Sequence, residues 1–558
     1  MLNVINKNLF KLTFIFLVFI ELLSFFGWLL PEFGIVCFFV ILLLTLILSL
    51  KKLEWGVYIL FAELFIGSKG YLFSLEIGDV FVSIRIGLFL IIISVWVYKF
   101  IKKYLQKICH PELSTCHPEL PPVPDWNSRA GVSGSRNKFR MTKEFILLGA
   151  VILWAFVWGL IQGNNFGNVF LDFNNWLYFL LIFPVLDVAK NSRNFIKNIL
   201  NILIACVIWI FIKSIILLYI FSHQFVWALP EVYKWVRDTL VGEITFAGNG
   251  FWRVFIQSQI YSLLLFFILL PKLKDSRFLK NNNLLITYYL LLITFLTTIL
   301  LSYARSYWVA LAITLLLYYW LLWATIPQYC GMKAELSIIL LLKIKFLKFI
   351  KLNIKILLIT LTSFVIIFLV INLPPKIEQG NLANLLGRRA TEVEAAASSR
   401  INQLKPLLYA IAKHPLIGSG FGTEVTYKSD DPRILGNYTT YAFEWGYLDL
   451  VLKFGLVGLG IYLYLIFKIL RRLIISNFQF PISKQILNSK SQLLITNYGL
   501  RIGFGLALVA LLVVNIFSPY LNHPLGIGFV ILSTVVIPSE SRSIAWRVEG
   551  SSYKNNQK

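Results

Sequence analysis

Apolar blocks of about 17–22 residues recur along this chain, each long enough for an α-helix to cross a hydrocarbon layer of about 30 Å. They fall at 10–30, 33–50, 55–67, 80–98, 144–161, 174–189, 199–221, 254–270, 284–301, 306–323, 355–373, 448–469, 501–518 and 521–537, the third being short. Composition agrees: 58% of the 558 residues are hydrophobic and 14% are charged, with mean hydropathy +0.75. A soluble domain carries about 45–50% apolar and about 25% charged residues. The block Phe10–Leu30 is too long, and too regularly followed by others, for a cleaved signal peptide, so it reads as a retained span. The expected fold is all-α: a polytopic membrane protein of 12 to 14 helices.

Charge sets the expected orientation. With both termini cytoplasmic, lysine and arginine concentrate in the inward segments, as the positive-inside rule requires. The net charge of +25 is then a topology signal, with added attraction to anionic lipid, and not a sign of nucleic-acid binding. The five cysteines (Cys37, Cys109, Cys116, Cys206 and Cys330) fall in spans or inward segments, so no disulfide framework is expected.

Three organisational units follow: a transmembrane bundle over 1–371, a large extracytoplasmic segment over 372–447, and C-terminal helices with a cytoplasmic tail over 448–558. Inside the first, residues 99–143 form a polar cytoplasmic insertion with a short repeat, Cys109-His-Pro-Glu-Leu and Cys116-His-Pro-Glu-Leu. Its adjacent Cys-His pairs match no common zinc spacing, so it reads as a tolerated low-complexity insertion. Lys343–Lys355 reads as a basic amphipathic stretch on the inner surface. In the long outward segment, Thr391–Ala412 has a helical apolar stripe through Leu404, Leu407, Leu408 and Ile411. Pro415 and the glycines after it stop that helix and make a turn.

Positive charge on the outward side runs against the trend, and arginine supplies most of it. Arg85 sits about one turn inside a span, Arg253 opens another and Arg305 occupies a tight turn between two. Arg388, Arg389 and Arg400 lie in the long segment. A guanidinium matches phosphate oxygens as a bidentate fork, so these six are candidates for holding a diphosphate. A lone arginine can equally snorkel to headgroups. Arg400 extends the apolar stripe of its helix, which suggests a specific partner.

Glu444 is the candidate catalytic carboxylate. Read as a helix, Glu444, Tyr447, Leu448, Val451 and Gly455 share one face, which puts Glu444 in a first turn at the membrane boundary. A base for a sugar hydroxyl fits there, as does a carboxylate favoured by the helix dipole. Asp449 and Lys453 are spaced to pair within that helix. Asp172 reads as a helix cap or a site residue, and His414 as a turn former or a site residue.

The stretch from Ser399-Arg400 through His414-Pro-Leu-Ile-Gly418-Ser-Gly420-Phe-Gly, followed by Tyr447-Leu448 and Lys453-Phe-Gly455-Leu-Val-Gly458, resembles the O-antigen ligase and polymerase superfamily. Arg305 in Tyr-Ala-Arg-Ser-Tyr-Trp is similar to that family's Ser-Arg turn, and Arg253 to an arginine opening an earlier span. The resemblance implies glycosyl transfer without metal or other cofactor at the outer face of a bacterial inner membrane. The donor would be a glycan on polyprenyl diphosphate and the acceptor a second glycan or lipid-linked glycan. Ligases carry His-Asn where this chain has Glu444-Trp445, which points to a polymerase rather than a lipid A-core ligase. The competing class is a transporter or flippase for lipid-linked glycans or small anions. That reading calls for internal pseudo-symmetry and midplane charge.

Overall fold

The computed structural model describes residues 6–77, 80–109, 142–192, 194–248, 251–274, 282–324, 334–374, 395–430, 434–474 and 490–536. Arg388, Arg389, Cys116, Cys330 and most of the 99–143 insertion lie outside the described residues.

The first half runs through α1 (Lys7–Leu29), α2 (Pro31–Lys51), α3 (Leu53–Ile66), the hairpin β1 (Ser74–Ile77) and β2 (Val80–Ser83), then α4 (Ile84–Cys109), α5 (Thr142–Ile161), α6 (Phe166–Leu177), α7 (Ile182–Asn191) and α8 (Phe195–Ser222). Next come α9 (Leu229–Asp238), the hairpin β3 (Gly242–Gly248) and β4 (Phe251–Ile256), α10 (Ile260–Leu269), α11 (Asn282–Ser302), α12 (Arg305–Ala324) and α13 (Ala334–Asn372). The large segment contributes α14 (Ala395–Lys413) and the hairpin β5 (Val425–Ser429) and β6 (Gly436–Thr440). The chain closes with α15 (Gly446–Ile474), α16 (Lys490–Val514) and α17 (Pro524–Val535).

Every expected span has a helix. Among the described residues, ten helical stretches are long and apolar enough to cross a membrane, and α6 with α7 form one of them. The other expected spans are shorter apolar helices: α3, Gln257–Leu273, Gly499–Val514 and α17. The protein is an all-α, multi-pass membrane protein. α10 is its centre: every residue from Ile260 to Leu269 is buried, as expected of a helix that is apolar on all sides. α1, α2 and α13 instead expose large apolar side chains such as Phe16, Phe39 and Leu357, which suits a surface facing lipid.

Lys343–Lys355 lies within one helix of 39 residues, Ala334–Asn372, that no proline or glycine interrupts. One expectation is corrected here. Residues 254–256 do not begin a span. Val254 and Ile256 are buried while Arg253 and Phe255 point away from them, so the alternation makes a strand that pairs with β3 before α10 starts.

Buried ion pairs form inside the bundle. Glu63 takes Arg85 at 2.8 Å, and Glu21 takes Lys213 at 2.6 Å, all four being buried. Either partner alone would be costly in such a medium. The three hairpins, α9 and α14 gather at one end of the bundle, the large-loop end, where the candidate site lies.

Candidate functional site

The site is built on a break in α15. Gly455 has φ +70° inside that helix, a backbone state that L side chains avoid. The break frees the carbonyls of Leu452 and Lys453 and the N–H groups of Leu456 and Val457. The turn after α14 supplies a partner for each. Ser419 N donates to Leu452 O at 2.7 Å and Gly420 N to Lys453 O at 3.2 Å. Leu456 N and Val457 N donate to Pro415 O and Leu416 O at 2.9 and 3.2 Å. The segments 414–422 and 453–458 therefore complete each other.

α5 holds the turn from the other side. Phe421 N donates to Ala155 O at 2.9 Å, and Trp158 Nε1 donates to Gly418 O at 3.1 Å. Asn164 Nδ2 donates to Phe421 O at 2.8 Å. A Cβ on Gly420 would lie 2.3 Å from the backbone nitrogen of Gly159, so the close approach and φ +83° both demand glycine there. His414 ends α14, with its N–H on Ile411 O and its ring edge-on to Trp158 at 6.4 Å. It forms the turn.

Beneath the turn, Lys453 Nζ lies 2.8 Å from both Asp172 Oδ1 and Asp449 Oδ1. Gly422 N donates to Asp172 Oδ2 at 2.9 Å, and Asn522 donates to Asp449. The side chains of this triad are all under a tenth exposed. Asp172 is therefore not a cap: Asn165 caps α6, and Asp172 sits within the helix, tying it to the turn and to α15. Tyr441 lies close by, its pKa raised by burial and then by the negative charge of Asp172.

The arginines come together above this support. Arg400, on α14, forms an ion pair with Glu444, and Trp445 Nε1 donates to Arg400 O at 2.9 Å. Both partners of the ion pair are nearly half-exposed. Arg253, on β4, donates from Nε to Ser302 O at 3.1 Å, and its guanidinium lies 5.0 Å over the Phe255 ring. Ser302 ends α11, and Arg305 opens α12 after a turn in which Tyr303 has φ +52°. Arg253 is thus pinned at the turn from which Arg305 projects. Burial lowers the pKa of Arg400, and the positive charges of Arg253 and Arg305 act the same way while Glu243 opposes them.

The structure therefore brings together Arg253, Arg305, Arg400 and Glu444. It does not bring Arg85, whose guanidinium is held by Glu63 and by Ser68 O at 2.7 Å. Glu444 precedes α15 instead of lying in its first turn, because the helix starts at Gly446. The face that Glu444 was expected to share with Gly455 is lost, since Gly455 breaks the helix. The sequence reading missed Glu243, whose only signal is its place on a strand opposite the arginine strand. It paired Asp449 with Lys453 correctly but did not see Asp172 as the third member.

Comparison with known proteins bears on this segment. No curated protein and no solved structure matches the chain. Residues 290–463 match the family model described as O-Antigen ligase. That segment contains Arg305, Arg400, the 414–422 turn, Glu444 and the Gly455 break, whereas Arg253, Glu243 and Asp172 lie outside it. Over residues 290–463, this multi-pass membrane protein is similar to the O-antigen ligase family.

Proposed function

We propose that the chain is a glycosyltransferase that joins glycan units carried on polyprenyl diphosphate, at the outer face of the bacterial inner membrane. The observation that supports this is the ion pair of Arg400 with Glu444 at the large-loop end, with Arg400 under the positive charges of Arg253 and Arg305. Arg253, Arg305 and Arg400 hold the diphosphate and neutralise the charge that develops as it leaves. Arg388 and Arg389, earlier in the same segment, are further candidates for that role. The acceptor hydroxyl attacks the anomeric carbon, the bond from that carbon to the diphosphate oxygen breaks, and the electron pair stays with the diphosphate. Glu444 takes the hydroxyl proton.

Glu444-Trp445 in place of His-Asn favours polymerisation over transfer to lipid A-core. The charge pattern supports an outward large-loop end and cytoplasmic termini. The test is a deletion strain. Loss of long-chain surface polysaccharide, with accumulation of single lipid-linked repeat units, is expected and should be reversed by the wild-type gene. Unchanged polysaccharide with no accumulation would overturn the reading.

A further inference from the structure

Glu243 stands on the wall of the arginine group. The β3–β4 register places Glu243 opposite Phe255 and Thr245 opposite Arg253. Residues two apart on a strand share a face, so Glu243, Thr245, Arg253 and Phe255 form one surface. Arg253 lies over Phe255, the residue directly across from Glu243, which brings its guanidinium to the side of the carboxylate. Glu243 also lies 3.7 Å from Arg237, at about 40% side-chain exposure. Glu444 pairs with Arg400, and the negative charge of Glu243 also acts on Arg400. The two carboxylates come from different elements, one from the hairpin before α10 and one from the segment before α15.

This balance has a consequence for a site that must accept a diphosphate. Three clustered guanidiniums repel one another when nothing anionic is present. The protein supplies the anions itself, and an incoming diphosphate then competes with them. Glu444 is needed later as the base, so its removal confounds binding with chemistry. Glu243 lies on an element that contributes no proton acceptor to the reaction as derived above.

We propose that Glu243 is an internal counter-anion of the donor site, holding the arginines in the empty protein and setting how tightly the donor diphosphate is bound. The proposal rests on the diphosphate reading of the arginines. Glu243 is thus a positioning residue that keeps the product diphosphate from being held too strongly. Its removal strengthens donor binding without creating any new contact.

The experiment measures binding of a short polyprenyl diphosphate to the detergent-solubilised full chain, as wild type, Glu243→Gln, Arg237→Gln and Arg400→Ala. Removing one negative charge from beside a partly hydrated diphosphate site should tighten binding about three- to tenfold in Glu243→Gln. The gain should shrink in high salt. Arg237→Gln removes the same exposed ion pair but keeps the carboxylate, and should leave affinity within about twofold. Unchanged or weaker binding in Glu243→Gln overturns the proposal, as does equal tightening in Arg237→Gln. Unchanged binding in Arg400→Ala would overturn the diphosphate reading itself, so the two failures are told apart.

Discussion

Glu444 and Arg400 neutralise each other, and both are exposed enough for water to share the pair. Such a pair adds little stability, about 0–1 kcal/mol, so a variant can separate the proposed chemical role from a structural one. Glu444→Gln keeps size and hydrogen bonding but removes basicity. Polymerisation by the purified variant is expected to fall about 10²–10⁴-fold while its melting temperature barely moves; a near wild-type rate would leave Glu444 no catalytic role. The arginines give a second test. Replacing Arg253, Arg305 or Arg400 with lysine keeps the charge but loses the planar fork, so each should restore polymer poorly in the deletion strain. Full activity in all three lysine variants would reduce the arginines to diffuse positive charge.

Elements carry the geometry that these residues need. α15 is broken at Gly455, and its open hydrogen bonds are closed by a turn more than thirty residues earlier. Gly455→Ala would force an L residue to φ +70° and put a Cβ 2.1 Å from Leu416 O, costing at least about 1–3 kcal/mol in strain alone. Lys453→Met would leave Asp172 and Asp449 facing each other in the interior, at a cost of about 3–5 kcal/mol. Both should show as lowered melting temperatures in detergent, and a wild-type melting curve for either would contradict the packing described. The sequence made the glycine turn legible as a helix stop, because Pro415 and three glycines allow little else. Its second role was hidden, since nothing local in His414–Gly422 says which distant carbonyls its N–H groups will meet. The same limit made Asp172 look like a cap: a carboxylate near a helix start is ambiguous until its partners are known.

At the scale of the whole molecule, hydropathy placed every helix of the bundle, because the length of an apolar block is a direct physical requirement of crossing lipid. It failed where a different period takes over, as at Phe251–Ile256, which is apolar enough for a span yet alternates like a strand. It also could not show that Arg85 is spent on Glu63, a contact between two helices. Orientation is open to a direct measurement. In a background with the native cysteines replaced, a cysteine in place of exposed Lys428 on β5 should react with an impermeant maleimide once the outer membrane is permeabilised. One in place of Lys51, at the opposite end of the bundle, should be protected. The reverse pattern would invert the topology.

The interlock between 414–422 and 453–458 also limits how such a protein can be recombined. A large loop is ordinarily the part of a membrane protein most easily exchanged, yet here the turn it carries and the helix break that anchors that turn sit on opposite sides of the boundary at residue 446. A chimera that takes only 372–444 from a relative would place a foreign turn against this chain's own break, mismatching side chains around shared backbone hydrogen bonds. One that takes 372–460 would carry lock and key together. Exchange between relatives is therefore expected to work only as a unit that reaches down into the membrane, with the loop and the upper half of α15 moved as a single cassette.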